Sequence, residues 1–263
     1  MLDTSVELGP VSLRSPLVAA AGTVGSVVDF AEVGALGAYG AAVAKSVSAE
    51  PWPGRPAPRI AAVGVGMLNG IGIQNPGVAA WADEVGPDLT GAGVPVWGSA
   101  VGTSPADFGA VAAGLDAAGV AAIEVNLSCP NLETGSMFAL DGRASAAVVR
   151  EVRASTRLPI GAKLSPNSMD VADVARAVSE SGADWVVLGN TVLGLAIDLE
   201  ARRPVLSGGV GGYSGRPLKP IAMRCVWEVR AALPDLPIVG CGGVSSGTDV
   251  VEYLMAGASA VGL

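Results

Sequence analysis

Histidine is absent from all 263 residues. That absence removes every histidine-based catalytic triad and most zinc sites. Acid–base chemistry must then fall to Cys, Lys, Asp, Glu, Tyr or a hydroxyl. Cysteine is nearly as scarce: Cys129, Cys225 and Cys241 are odd in number and widely spaced. They form neither a disulfide framework nor a CxxC metal site, so no metal is expected. Basic residues number 16 against 24 acidic ones, a net charge of -8. This balance argues against a nucleic-acid or anionic-membrane surface, while leaving room for a small anion held by local donors. Half the residues are hydrophobic, yet no window approaches the ~18 uninterrupted apolar residues of a spanning helix. The opening MLDTSVELGP has no basic region followed by an apolar core, so it is not read as a signal peptide. The expectation is a soluble, cytoplasmic protein.

Short apolar runs recur along the chain at 17–20, 41–44, 95–98, 121–125, 160–164, 185–188, 237–240 and 258–262. Each has strand length and is largely apolar, as expected of strands covered on both faces. Helix starts lie between them. Ser104-Pro105-Ala106-Asp107 offers a capping Ser, Pro in the first turn and an acid at the third position. Asn167 or Ser168 is expected to cap a helix running to about Ser181, with Gly182 suited to its end. Eight strands alternating with helices over this length predict a (β/α)8 barrel in one domain, 1–263. A doubly wound open sheet is the alternative, weakened because no Gly-x-Gly-x-x-Gly comes after the first strand.

Most of these strands give way to polar, cationic or glycine residues. The ends run into Ala21-Gly22-Thr23, Lys45-Ser46, Ser99, Asn126, Lys163, Asn190-Thr191 and Gly242-Gly243. The C-terminal ends of barrel strands are where active sites are built. Asn126-Leu127-Ser128-Cys129-Pro130-Asn131 is the most informative stretch, because it puts a thiol between two amides in a turn beyond a strand. A thiol there can act as base or nucleophile once its surroundings favour thiolate. Cys225, inside the helix-like 222–230, and Cys241 read instead as small buried hydrophobes.

The hexapeptide at 126–131 resembles the catalytic loop of the class 1 dihydroorotate dehydrogenases. The resemblance extends in order along the chain. It takes in Lys45-Ser46-Val47-Ser48-Ala49-Glu50-Pro51 with Gly54-Arg55-Pro56-Ala57-Pro58-Arg59, then Leu68-Asn69-Gly70-Ile71-Gly72-Ile73-Gln74-Asn75-Pro76-Gly77. It continues through Ala162-Lys163-Leu164-Ser165-Pro166-Asn167, Gly189-Asn190-Thr191, Gly211-Gly212-Tyr213-Ser214-Gly215 and Gly240-Cys241-Gly242-Gly243.

The resemblance implies oxidation of dihydroorotate to orotate in pyrimidine biosynthesis, with Cys129 taking a ring proton and FMN the hydride. It implies that Lys163 lies beside the flavin ring, where a cation stabilises the reduced form. Lys163 read alone would instead be a lysine paired with a neighbouring acid. Lys45 would reach both flavin and substrate. Ala21, Gly22, Ser46, Ser99, Asn126 and Gly189 would complete the flavin contacts, with Ser99 standing where relatives often carry Asn. Gly215, Gly242 and Gly243 would let backbone N–H groups approach the FMN phosphate. Asn69, Gly70, Ile71, Gly72, Ile73, Asn126, Asn131, Asn190 and Thr191 would hold the substrate. Read alone, Asn75 before Pro76 suits a turn.

The 74–77 and 133–141 segments are similar to the NAD-linked subtype, which works with an iron–sulfur and FAD electron-transfer subunit. Three scattered cysteines cannot hold a four-thiolate cluster, so that cluster would sit in another chain. A homo-oligomer is also expected. The sequence ends at Leu263, where the family continues with a Gly-Thr pair and a closing helix, leaving an apolar side of the barrel to be covered. Two other readings stand beside this one: a flavin enzyme acting on a different dihydropyrimidine, and a non-catalytic barrel that binds FMN poorly.

Overall fold

A computed structural model describes residues 3–31, 34, 36–127 and 137–263. Among these, eight parallel strands close into a barrel. They are β1 (Leu17–Ala19), β2 (Ala41–Val43), β3 (Val96–Ala100), β4 (Ala122–Asn126), β5 (Ile160–Leu164), β6 (Trp185–Leu188), β7 (Ile238–Cys241) and β8 (Ala260–Gly262). Every neighbouring pair is parallel, and β8 returns to pair with β1. All eight coincide with the apolar runs of the sequence, and the doubly wound alternative is excluded by closure.

Helices α1 (Val28–Ala31), α2 (Val78–Val85), α3 (Pro105–Ala118), α4 (Gly142–Ser155), α5 (Val171–Ser179), α6 (Lys219–Ala232) and α7 (Gly247–Met255) come after β1 to β7 in turn. The start of α3 is as the sequence predicts: the Ser104 side chain accepts from the Asp107 N–H, and Asp107 answers at the Ser104 N–H. The start of α5 is not. Asp170, rather than Asn167 or Ser168, caps it by accepting from the Asp173 N–H, and the helix ends at Ser179. Asn167 is occupied elsewhere, donating to Ser165 Oγ at 2.8 Å and the Thr191 carbonyl at 3.1 Å. Its amide therefore ties the loop after β5 to the loop after β6.

Strand residues alternate between the barrel interior and the helix layer. One set, including Val18, Ala41, Val43, Trp97, Ala122, Trp185, Val187, Val239 and Ala260, packs together as the interior. The Trp97 and Trp185 rings lie 5.0 Å apart within it. Leu8 and Leu13 join this cluster from an N-terminal hairpin (Val6–Leu8 with Val11–Leu13) ahead of β1. They seal the barrel's N-terminal end. The opposite parity packs against the helices in a larger cluster that includes Leu115, Val149 and Val226.

Two long connections leave the barrel at its C-terminal end. Segments from β2–α2 (Ile60–Val63, Gly66–Asn69) and from β6–α6 (Val192–Gly194, Gly211–Gly215) form one four-stranded antiparallel sheet over that end. No helix among the described residues is long and apolar enough to cross a membrane.

Ser104 satisfies an otherwise orphaned N–H at the start of α3, so Ser104→Ala is expected to cost about 1 kcal/mol. Urea unfolding of the variant, with an unchanged slope, is the measurement.

Candidate active site

A cleft of about 650 Å³, measured to its open mouth, lies at the C-terminal ends of β1, β5, β6, β7 and β8. Its lining includes Ala21, Lys163, Gly189, Asn190, Thr191, Gly215, Gly242 and Gly243. Eight residues singled out in the sequence thus share one cavity, although they are up to 222 positions apart (Ala21 to Gly243). Gly22 neighbours this lining through Ala21 and Thr23. Cys241, Ser214, Leu218 and Val244 line it too and escaped the sequence reading as site residues. Cys241 could have been found by parity, because it lies two residues beyond the inward-facing Val239. Burial pushes its thiol pKa up; Lys163 pulls against that and Glu124 adds to it.

A glycine wall results from close backbone packing. Gly189, just past β6, has φ 131°, and a Cβ there would come within 1.5 Å of the Cys241 carbonyl oxygen. No side chain fits between these neighbouring strands. Gly243, at φ 69°, sits against the first turn of α6, where a Cβ would meet the Lys219 nitrogen at 2.5 Å.

The wall is fastened from behind. The Tyr253 hydroxyl donates to the Gly242 carbonyl at 2.7 Å, and burial raises the phenol's pKa, so it stays protonated as a donor. Lys219 Nζ bridges Asp249 and Glu252, each at 2.5 Å, linking α6 to α7. Asp249 also accepts from the Ser245 N–H and from the hydroxyls of Ser245 and Ser246. Lys219 first, then these loop donors, hold its carboxyl well below the usual range.

A polar chain crosses the barrel beside the cleft. Ser99 Oγ and Ser46 Oγ are 2.8 Å apart, Asn126 Nδ2 donates to Ser46 Oγ at 3.2 Å, and Asn190 Nδ2 donates to Asn126 Oδ1 at 3.4 Å. Ser99 thus serves as a buried hydrogen-bonding group. Lys45 precedes Ser46 and is anchored through its N–H to the Gly25 carbonyl. On the overlying sheet, Asn69 donates to the Gly212 carbonyl at 3.3 Å, opposite Thr191. The Ile71 carbonyl accepts from the Arg55 N–H, between Gly70 and Gly72. Ile73 turns away into a small apolar cluster with Val101 and Trp52, so it acts by packing. Asn75 makes turn contacts, accepting from the N–H groups of Ser48 and Gly77. Cys129 and Asn131 lie outside the described residues. Cys225 is a buried member of α6, with its thiol pKa raised by burial.

Lys163 satisfies both sequence readings at once. It lines the cleft, and its Nζ lies 3.4 Å from Glu124 Oε1 inside the barrel. Burial alone would lower its pKa. The Glu124 carboxylate, with a smaller contribution from Cys241, more than offsets burial and holds the ammonium above the ordinary lysine value.

Fold and site together define a (β/α)8-barrel protein whose C-terminal face offers a glycine wall, a buried cation and an amide–hydroxyl chain. A family model for dihydroorotate dehydrogenases matches residues 3–263, and the chain belongs to that family. It is 44% identical over 261 residues to the "Dihydroorotate dehydrogenase B (NAD(+)), catalytic subunit" of Geobacter sp. (strain M21), covering 98% of this chain and 85% of the relative. The protein of the same name from Desulforudis audaxviator is 42% identical over 262 residues, covering 99% and 85%. The crystal structure of an Eimeria tenella dihydroorotate dehydrogenase with ferulenol superposes with a TM-score of 0.81 at 20% identity. It covers 99% of this chain and 78% of that one, a likeness of fold.

Asp249 ionises more readily folded than unfolded, so its contribution is present above the unfolded value of 3.8 and lost as pH falls through the lower folded value. Wild type is expected to lose stability in urea between about pH 5 and pH 2, and Asp249→Asn to lose less over that window. Equal acid sensitivity of the two proteins would refute this role for the carboxylate.

Proposed function

We propose that the chain, as one domain over 1–263, oxidises dihydroorotate to orotate with FMN bound in the cleft. The observation that carries this is the convergence of Lys163, Asn190, Thr191 and the glycine wall on a single cavity, with the polar chain joined to it through Asn190. The residues fit the group. Gly215, Gly242 and Gly243 line the cleft with backbone packed so closely on neighbouring chain that a Cβ would meet protein atoms; that backbone would face a phosphate, and Lys163 supplies a cation in the same lining. Ala21, Gly22 and Gly189 leave room for a flat ring, and Lys45, Ser46, Ser99 and Asn126 would hold its polar edge. When bound, FMN supplies the hydride acceptor.

The chain's own residues do the rest. Asn69, Gly70, Ile71, Gly72, Asn126, Asn131, Asn190 and Thr191, with Lys45, orient the pyrimidine and its carboxylate, and Ile73 supports their loop. Cys129, three residues beyond Asn126, takes a proton from a ring carbon as its thiolate. With no histidine in the chain, a thiol is the base that the substrate loop offers.

The relatives are named catalytic subunits, and this supports work beside a second, iron–sulfur and FAD electron-transfer subunit that passes electrons to NAD+. Exposed Val65, Leu195 and Leu199, on and beside the overlying sheet, give apolar surface of the kind that a partner subunit or a second copy covers. The setting is the cytoplasm, where de novo pyrimidine synthesis would use it.

The purified protein reconstituted with FMN is expected to be yellow, to bleach anaerobically with dihydroorotate, and to respond poorly to dihydrouracil, which lacks the carboxylate. Cys129→Ala should slow that bleaching by at least about 100-fold. Bleaching at the wild-type rate would dismiss Cys129 as base, and a colourless protein after reconstitution would dismiss the FMN reading.

A further inference from the structure

Glu124 is a charged residue in the middle of an apolar barrel strand. It is only 2% exposed, and Lys163 only 6%. On β4 it shares parity with Ala122, an interior residue, and with Asn126 of the polar chain. Its side chain therefore lies inside the barrel, between the Trp97–Trp185 layer and the cleft. Among the described residues its one ion pair is with Lys163, at 3.4 Å, and its Oε1 has no directed hydrogen bond. An isolated carboxylate is too costly to bury in this setting, so it persists there only against a compensating charge. The pairing also works in reverse: without a carboxylate beneath it, the buried ammonium would lose its proton more readily, at a lower pH, or swing toward water.

We propose that Glu124 is the positioning residue of the cleft, anchoring the Lys163 ammonium from inside the barrel and fixing where that charge meets a bound flavin. The second half rests on the FMN reading above; the first half does not. The pair is neutral overall, so a ligand in the cleft meets an oriented dipole with its positive end outward instead of a bare cation. A flavin in contact with that dipole is stabilised in its reduced, anionic form less than it would be by an unpaired lysine. Among the described residues, the other titratable group facing Lys163 is Cys241 of β7, whose thiol pKa burial raises and Lys163 pulls down.

The test uses the full chain as E124Q, which keeps shape and removes charge, and as E124D, which keeps charge on a shorter arm. In flavin-free protein at pH 8, acetylation of Lys163 by acetic anhydride is monitored by mass spectrometry. In E124Q it should run at least about tenfold faster than in wild type, the change produced by one unit of amine pKa. E124D should stay closer to wild type than to E124Q. In FMN-loaded protein at pH 6, the flavin midpoint potential of E124Q should move positive, and K163M should abolish the difference. Equal acetylation rates in wild type and E124Q would overturn the proposal, as would a potential shift that persists in the K163M background. If wild type binds no FMN while the acetylation rates still differ, the flavin reading falls and the anchoring of Lys163 stands.

Discussion

Closure of eight strands into a barrel is the constraint on which everything else depends. Once β8 pairs with β1, every second residue of every strand is committed to a narrow interior that admits no solvent below the mouth. The interior is stratified as a result. The indoles of Trp97 and Trp185 fill its lower part, and the Glu124–Lys163 pair sits above them. The hydroxyls and amides of Ser99, Ser46, Asn126 and Asn190 lie at the top. Most polar side chains of the interior gather toward the strand ends, where partners can be found for them, and Glu124 is held mid-strand by the charge of Lys163.

The same geometry explains why distant residues act together. Gly189 and Cys241 belong to separate βα units, yet their backbones pack so closely that the first must be glycine. Lys219 and Asp249 stand at the starts of successive helices and clamp the loops that carry Gly215 and Gly243. The cleft is a joint product of β5 to β8 and β1, and its glycine wall is fastened by groups that lie outside the cleft lining.

Much of this was legible in the sequence, for identifiable reasons. Buried parallel strands are largely apolar and short, so all eight stand out along the chain, and the Ser104–Asp107 pattern named the start of α3 correctly. Family-like motifs brought the cleft residues together because they mark strand ends. Misreadings came where several residues could do the same job. Asn167, Ser168 and Asp170 are all competent caps, and the choice fell to Asp170 because Asn167 was needed to join two loops. Ile73, expected in a ligand loop, also packs with Val101 and Trp52, a contact the sequence did not announce. Glu124 and Cys241 were passed over because their strands looked apolar, although counting by twos from Ala122 and Val239 points both inward. What sequence could not convey is that Lys163 takes both roles, because whether one side chain can hold an acid and still face a cleft depends on its direction in space.

The N-terminal hairpin has a consequence for traffic. Leu8 and Leu13 stopper the end of the barrel remote from the cleft, and the paired tryptophans fill the bore above them. The cavity is a cup with one rim. A reactant and its product must share that rim, so one has to leave before the next can enter. Turnover in such a vessel proceeds as alternating visits, and an accumulated product would compete with the next arrival at the same threshold.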